Sequence, residues 1–290
     1  MVIFMQQFPL ESASSLSFSK YLLDRNYVDN SLHYHSDLEI SYVRSGRCIY
    51  CIDDQFYEVK AGDIVVIKGF LYHYIQTGSI EEPFTNLVIM ANSHFVRHAN
   101  DTVFDHLGIS LLSKKENVSP IYHDEEIAKL FCSIEKLLEE KNNLYLLIAK
   151  CELLTLFARV ISSLSPNSAL SSDPHEKEIA QKINTITAYI DDHILEKLKL
   201  DDLADMVDLN PAYLSSYFKK HTGISITEYI LQNRISLSIK KLQTTQMNIT
   251  EIAFLCGFNN TANFNKAFRK IIGKTPSELR RIGTQTESSE

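Results

Sequence analysis

Apolar positions change their spacing midway along this chain. Up to about Ala91 they fall in short runs: Leu38 to Arg44, Cys48 to Ile52, Phe56 to Val59, Asp63 to Lys68 and Tyr72 to Ile75. These runs are rich in Ile, Val and Tyr, and Ser-Gly, Asp-Asp and Ala-Gly turns separate them, which is the pattern of strands. Short strands at regular spacing predict a barrel or jelly roll. From Ser93 to Leu112 the pattern is mixed. A helical period then sets in, over about His123 to Glu140 and Asn143 to Leu164. In the second of these helices Leu147, Cys151, Leu154 and Ala158 form one apolar stripe, which Leu144, Ile148 and Phe157 widen. So apolar a helix calls for burial on two sides. One side would meet the β domain; the other would meet a partner subunit or more of the same chain.

Ser, Asn and Pro crowd the next stretch, SSLSPNSALSSDP, which reads as a linker. The last third is helical throughout, starting with a helix from Glu176 to His193 whose buried face is Ile179, Ile183, Ile186 and Ile190. The expected class is therefore α+β: an N-terminal β-barrel or jelly roll with following helices, then an all-α domain. The boundaries are residues 1–164, a linker at 165–175, an α domain at 176–282, and a polar, disordered tail at 283–290.

The α domain repeats itself. LADMVDLNPAYLSSYFKKHTGIS, from Leu203, lies on IAFLCGFNNTANFNKAFRKIIGKTP, from Ile252. Ala204, Phe218 and Gly223 fall on Ala253, Phe268 and Gly273, a period of roughly 50 residues. Each copy reads as a helix-turn-helix. Ala204 and Ala253 are small where two helices cross. Asn210 with Pro211 caps and starts the second helix of the first unit, and Cys256-Gly257-Phe258 makes the turn of the second. Leu214 with Phe218, and Phe264 with Phe268, stand four apart on a core face. The opposite faces carry Ala212, Ser215, Ser216 and Lys219, and Thr261, Ala262, Asn265, Lys266 and Arg269. A helix-turn-helix places its second helix in a DNA major groove. Ser215, Ser216, Thr261, Asn265 and Lys266 are then the expected base contacts, with Ala212 and Ala262 able to approach the groove closely. Lys219, Lys220, Arg269, Lys270 and Lys274 are the expected phosphate contacts. A central helix, about Ile226 to Gln243, would space the two readers one turn of DNA, roughly 34 Å, apart. Arg234 on it is expected to tie the units together by hydrogen bonds.

Charge agrees with that division. The 290 residues carry a formal net charge of −7, unusual for a DNA binder. Yet Leu209 to Arg281 holds 11 basic and 3 acidic residues, against 14 and 22 from Met1 to Pro174. Only the C-terminal part attracts phosphate. Five scattered cysteines suit a reducing cytosol. Met1 to Leu10 lacks a basic start and a cleavage site. Lys150, Glu152 and Arg159 interrupt the most apolar run, which speaks against a membrane span. A cytoplasmic, nucleoid-associated protein is expected.

One constellation in the β region bears on chemistry: His33, His35 and Glu39, then Gly46, Gly62-Asp63 and His73. Residues 33, 35 and 39 share parity, so an extended segment would point them to one face. Three readings stay open. The set could bind a divalent metal, it could line a pocket for a small-molecule effector, or it could simply close the barrel mouth. Cys48-x-x-Cys51 is weak evidence for zinc. Residues three apart in a strand face opposite sides, so one of the two cysteines should be core.

The C-terminal stretch resembles the DNA-binding domain of AraC/XylS-family bacterial transcription regulators. The resemblance rests on Leu203-Ala204, Leu214, Phe218, Gly223, Tyr229, Arg234, Leu242, Ile249, Glu251-Ile252-Ala253, Gly257-Phe258, Phe264, Phe268, Gly273, Pro276 and Arg280. The His-x-His, Glu, His pattern is similar to that of cupins, in whose enzymes it holds a metal. The second cupin motif departs here: Lys68 stands where Pro is usual, Phe70 where Gly is usual, and the terminal Asn is missing. The resemblance implies a regulator, not an enzyme, with a cupin-like sensor for a small molecule such as a sugar. It also implies double-stranded DNA as partner, a homodimer formed through the helices after the barrel, and RNA polymerase as a candidate contact. The rivals are a constitutive dimeric DNA binder without ligand and a cupin metalloenzyme carrying a helical domain.

Overall fold

The structure is a computed structural model and describes residues 2–9, 16–23, 33–76, 83–91, 119–164 and 174–287. The mixed stretch 93–112 and the linker residues 165–173 lie outside the described residues.

The N-terminal domain has two sheets. The first contains β1 (Val2–Pro9), β2 (Leu16–Leu23), β3 (Leu38–Ser45), β6 (Asp63–Ile67), β8 (Phe84–Ala91) and β9 (Ile121–His123), in the order β1-β2-β8-β3-β6-β9. The second contains β4 (Arg47–Ile52), β5 (Gln55–Lys60) and β7 (His73–Gln76), in the order β5-β4-β7. All pairings are antiparallel. Side chains alternate across the larger sheet as the two-residue period requires. Leu38, Ile40, Ile64, Val66, Leu87 and Ile89 face the helices α1 (Glu125–Glu140) and α2 (Tyr145–Leu164). Val43, Val65, Ile67 and Phe84 face the smaller sheet, together with Tyr50, Ile52 and Val59. A sheet covered on both sides explains the unbroken apolar run DIVVI. Glu39 and Ser41 share parity with Val43, so they point into the space between the sheets. Cys48 and Cys51 are both buried, with Cys48 in that inter-sheet core, and neither is in a disulfide.

Within one chain, helix α2 is buried on one of the two sides expected to be covered. Ala149, Leu153, Leu156, Phe157 and Val160 are covered, while Leu147, Cys151, Leu154 and Ala158 lie open along its other face.

The C-terminal domain is all helix: α3 (Pro174–Asp192), α4 (Leu200–Asp205), α5 (Pro211–Thr222), α6 (Ile226–Thr244), α7 (Ile249–Leu255), α8 (Thr261–Ile272) and α9 (Pro276–Glu287). Helix α9 thus runs on through residues that were expected to form a disordered tail. The caps follow the sequence. Asn210 accepts from the Ala212 amide at 2.9 Å with Pro211 in the first turn, and Asn260 accepts from the Asn263 amide at 2.8 Å. Asn248 and Glu251 form a reciprocal capping box at α7. α5 and α8 both stop at a left-handed glycine, Gly223 and Gly273. Arg234 on α6 donates to the carbonyls of Ile194 and Glu196, at 2.8 and 2.7 Å, fastening the central helix to the turn after α3.

Candidate nucleic-acid interface and sensor site

The two candidate recognition helices are built alike. Reading along α5 and α8, the sequence of buried and exposed positions is the same at all twelve places. Leu214, Tyr217, Phe218 and Thr222 are the buried positions of the first; Phe264, Ala267, Phe268 and Ile272 are those of the second. Around these anchors Ala212, Ser215, Ser216, Lys219 and Lys220 lie exposed on α5. Ala262, Asn265, Lys266, Arg269 and Lys270 lie exposed on α8, with Thr261 half-buried at its start and Lys274 exposed just beyond its end. Every residue expected to meet DNA except the half-buried Thr261 is therefore exposed. Sequence reasoning passed over two more exposed residues at equivalent places, Tyr213 and Asn263. The repeat itself could have supplied them, since each lies three residues after an Asn cap. A cleft of about 400 Å³ opens beside α8, lined by Leu231, Arg234, Phe258, Asn263, Lys266 and Lys270 among others.

In the sensor domain three of the four candidate residues converge. Ligand atoms of His35, Glu39 and His73 all lie within 4.8 Å of one another. The Nε2 atoms of His35 and His73 each stand 3.3 Å from the same oxygen, Glu39 Oε2. Their Nδ1 atoms face backbone carbonyls, Asp37 O at 3.0 Å and Leu71 O at 3.1 Å. His33 is outside this group. Its backbone pairs with His73, its ring stacks on the His73 ring at 5.7 Å between centroids, and it is exposed. His33 thus shares the face of His73, as parity requires, but its ring is not among the converging ligand atoms.

The set continues inward. Ser41 donates to Glu39 Oε1 at 3.0 Å, and Asn86 donates to the Tyr50 hydroxyl at 2.8 Å. Asn86 is 1% exposed, and its Oδ1 has no hydrogen-bond partner. Ser41, Tyr50 and Asn86 were not singled out from the sequence. Ser41 shares parity with Glu39 and was legible in principle; Asn86 comes from a distant strand and was not.

Charge in this site is divided unevenly. Burial works against ionising Glu39, but the neighbouring His73 and His35 outweigh it and hold the carboxyl below its usual range. Burial also opposes the charged form of His35, yet contact with Glu39 leaves its pKa raised. At His73 burial wins over Glu39 and the pKa is lowered. A neutral imidazole has one N–H, whereas both nitrogens of both rings here face oxygen acceptors. With each Nδ1 donating to a carbonyl, both Nε2 lone pairs point at the carboxylate. Either protons or another cation must lie between them.

The comparisons fit both halves. Residues 203–282 match the model of a helix-turn-helix domain, and residues 25–90 that of a cupin domain. The chain thus joins an AraC-type helix-turn-helix domain to a cupin domain, and its relatives include AraC-family transcription regulators. Relatives in the family extend over most of its length. An uncharacterized HTH-type transcriptional regulator of Bacillus subtilis, YdeC, is 21% identical over 257 residues, 87% of each chain. The HTH-type transcriptional activator RhaS of an Enterobacter species is 23% identical over 261 residues, 86% of each. Among solved AraC-family folds, unsaturated fatty acid-bound ToxT from Vibrio cholerae superposes with a TM-score of 0.54 at 18% identity, over 92% of this chain and 95% of that one. At that identity the likeness is one of fold. No helix among the described residues is long and apolar enough to cross a membrane.

Proposed function

We propose that this AraC-family regulator reads double-stranded DNA with α5 and α8 in successive major grooves, under the control of a small ligand in the N-terminal domain. The observation that carries the DNA reading is the matched burial pattern of the two helices, which leaves the same arc open on each. Asn265 suits adenine and Lys266 guanine, while Thr261, Ser215 and Ser216 add weaker base contacts. Lys219, Lys220, Arg269, Lys270 and Lys274 hold phosphates and set the salt dependence. The protein acts in the cytoplasm on the nucleoid as a homodimer, without catalytic activity, and RNA polymerase is the candidate partner for activation. The test is selection of genomic fragments by the purified protein at about 150 mM salt, where phosphate contacts alone bind weakly. A shared motif with two half-sites one helical turn apart is the expected result; retention of random fragments would sink the reading.

For the ligand, the polarity of the barrel argues for a small polar or charged effector rather than an acyl chain such as the fatty acid bound by ToxT. His35, Glu39, His73, Ser41 and Asn86 line the same interior, and an apolar tail would leave them unpaired. A second reading is favoured by the imidazole contacts: a divalent cation held by His35 Nε2, His73 Nε2 and Glu39. The donor set fits zinc or a neighbouring transition metal, and the Nδ1 contacts to carbonyls are the outer contacts that orient metal-bound histidines. Such an ion would supply positive charge between the three groups. Their own part is to hold it against the Ser41–Asn86 network.

A further inference from the structure

The feature that the family resemblance leaves unaccounted for is Phe70. It stands where the cupin motif has glycine, and its backbone adopts a glycine-like conformation, with φ at +64°. For a bulky residue this is a strained conformation, which persists only where the surroundings enforce it. Three contacts enforce it here. The Phe70 amide donates to the His35 carbonyl at 2.7 Å. The preceding Gly69 permits the approach, since a Cβ on it would lie 2.3 Å from the Ser36 carbonyl oxygen. The ring itself leaves the barrel and enters the core of the C-terminal domain. It meets Tyr229 of α6 edge-on, at 5.8 Å between centroids and 84° between planes.

The same strand faces explain how this comes about. His35 and His73 point inward to Glu39, so their neighbours Tyr34, Tyr72 and Tyr74 point outward. Those three tyrosines pack with Phe70 against the C-terminal core. Tyr229 passes the contact on. Its hydroxyl donates to the Asp191 carboxylate of α3, at 2.9 and 3.1 Å to the two oxygens. Its ring leans on Phe218 of α5 at 6.1 Å. In the second helix-turn-helix unit the equivalent position, 50 residues on, is Leu279, which has neither hydroxyl nor ring. The aromatic relay exists only in the unit that the barrel touches.

We propose that Phe70 couples the His35–Glu39–His73 site to the first recognition helix, through Tyr229 and Phe218. The proposal rests on that site being the regulatory one. A change in how Glu39 holds His35 shifts the carbonyl that fixes Phe70. The strained backbone at residue 70 then has a relaxed alternative, in which the ring withdraws from Tyr229 and the barrel releases α5 and α6. Coupling of this kind needs a two-state element that both sites bias; residue 70 supplies it.

The protein contains no tryptophan, so Phe70→Trp gives a single fluorescent reporter at the junction. Its emission and acrylamide quenching are compared with those of the same chain carrying Glu39→Gln, which keeps the volume of the site and changes its charge. The expected result is a red shift and stronger quenching with Glu39→Gln, in full-length protein that still melts cooperatively. Unchanged emission and quenching would overturn the proposal. If Phe70→Trp does not fold, Tyr229→Trp reports the same contact from the other side. A second arm uses fragments retained in the genomic selection. Glu39→Gln is expected to change their affinity by about fivefold or more, the usual range of allosteric coupling. Phe70→Gly, which relieves the backbone strain and removes the ring, should abolish that response. A response that survives Phe70→Gly overturns the relay. Failure of the unaltered protein to retain fragments would instead refute the DNA reading, while the tryptophan signal still decides whether site and ring are coupled.

Discussion

Arg234 occupies the space that a side chain on Gly257 would need. A Cβ there would come within 2.9 Å of Arg234 Nε and 3.0 Å of the Ile194 carbonyl oxygen to which that nitrogen donates. The turn of the second helix-turn-helix is thereby locked to the central helix and, through it, to the end of α3. Gly273 offers the contrast: it has nearly the same backbone, φ at +76° against +80°, but nothing within 4 Å of the added atom. Gly273→Ala is therefore expected to lose only the left-handed backbone preference, about 1 kcal/mol. Gly257→Ala should lose more, about 2 kcal/mol or above, because strain and collision add. Urea unfolding of the two variants checks the order. Equal losses would mean that Arg234 yields freely and is no fastener.

The recognition helices differ in what their matched faces carry. On α5 the central exposed positions are Ser215 and Ser216; on α8 they are Asn265 and Lys266. Lys266→Ala is expected to relax sequence preference by about 1–3 kcal/mol at one base pair, and Ser216→Ala by less. Lys270→Ala should weaken specific and random DNA alike and reduce the slope of log affinity against log salt by about 0.9. Binding assays on a set of single-base operator variants at several salt concentrations separate the two. Uniform losses for Lys266→Ala would reassign it to phosphate.

Much of this architecture was legible because local chemistry and tertiary packing agree. The Asn210-Pro211 cap, the left-handed Gly223 and Gly273, and the fourfold spacing of Leu214 and Phe218 each act within a few residues, so the sequence shows them directly. Glu39 and His35 could be paired on the same grounds, and the motif brought in His73. What lay beyond reach depends on contacts between distant segments. Asn86 joins the sensor network across β8, and Phe70 departs from the cupin motif for a reason found only at Tyr229, 159 positions away. His33 was grouped with His35, Glu39 and His73 because parity fixes a face and not a distance: its ring stacks on His73 but is not part of the converging set.

Zinc ion gives the direct test of the cation reading. Protein equilibrated with zinc at 100 times its dissociation constant should gain about 2.7 kcal/mol of stability. The gain should vanish in His73→Ala and in Glu39→Gln, and persist in His33→Ala, since His33 is not one of the three residues whose ligand atoms converge. Metal content after dialysis and thermal melts measure both effects. A gain lost only with His33→Ala would move the site to the barrel rim. No gain in the unaltered protein would leave the polar effector as the occupant of this interior.

The open stripe on α2 sets the last prediction. Leu147, Cys151, Leu154 and Ala158 are spaced by four, three and four residues, the spacing of a seam between two helices packed side by side. Leu147 is 58% and Leu154 41% exposed, while the adjacent Leu153 is fully covered. A second copy of the chain satisfies such a stripe by pairing the same helix about a twofold axis, which brings equivalent positions opposite each other. Leu154→Lys should then convert dimer to monomer, read by light scattering, with the melting of the monomer little changed. Leu153→Lys, one residue along, should instead unfold the N-terminal domain, because it buries an unpaired charge against Phe157 and the sheet. Cys151, exposed at the middle of the stripe, should form a cross-link between protomers under mild oxidation, provided the seam is antiparallel and centred there. A protein that is monomeric before any substitution would remove the dimer from the mechanism and leave this stripe for a different partner.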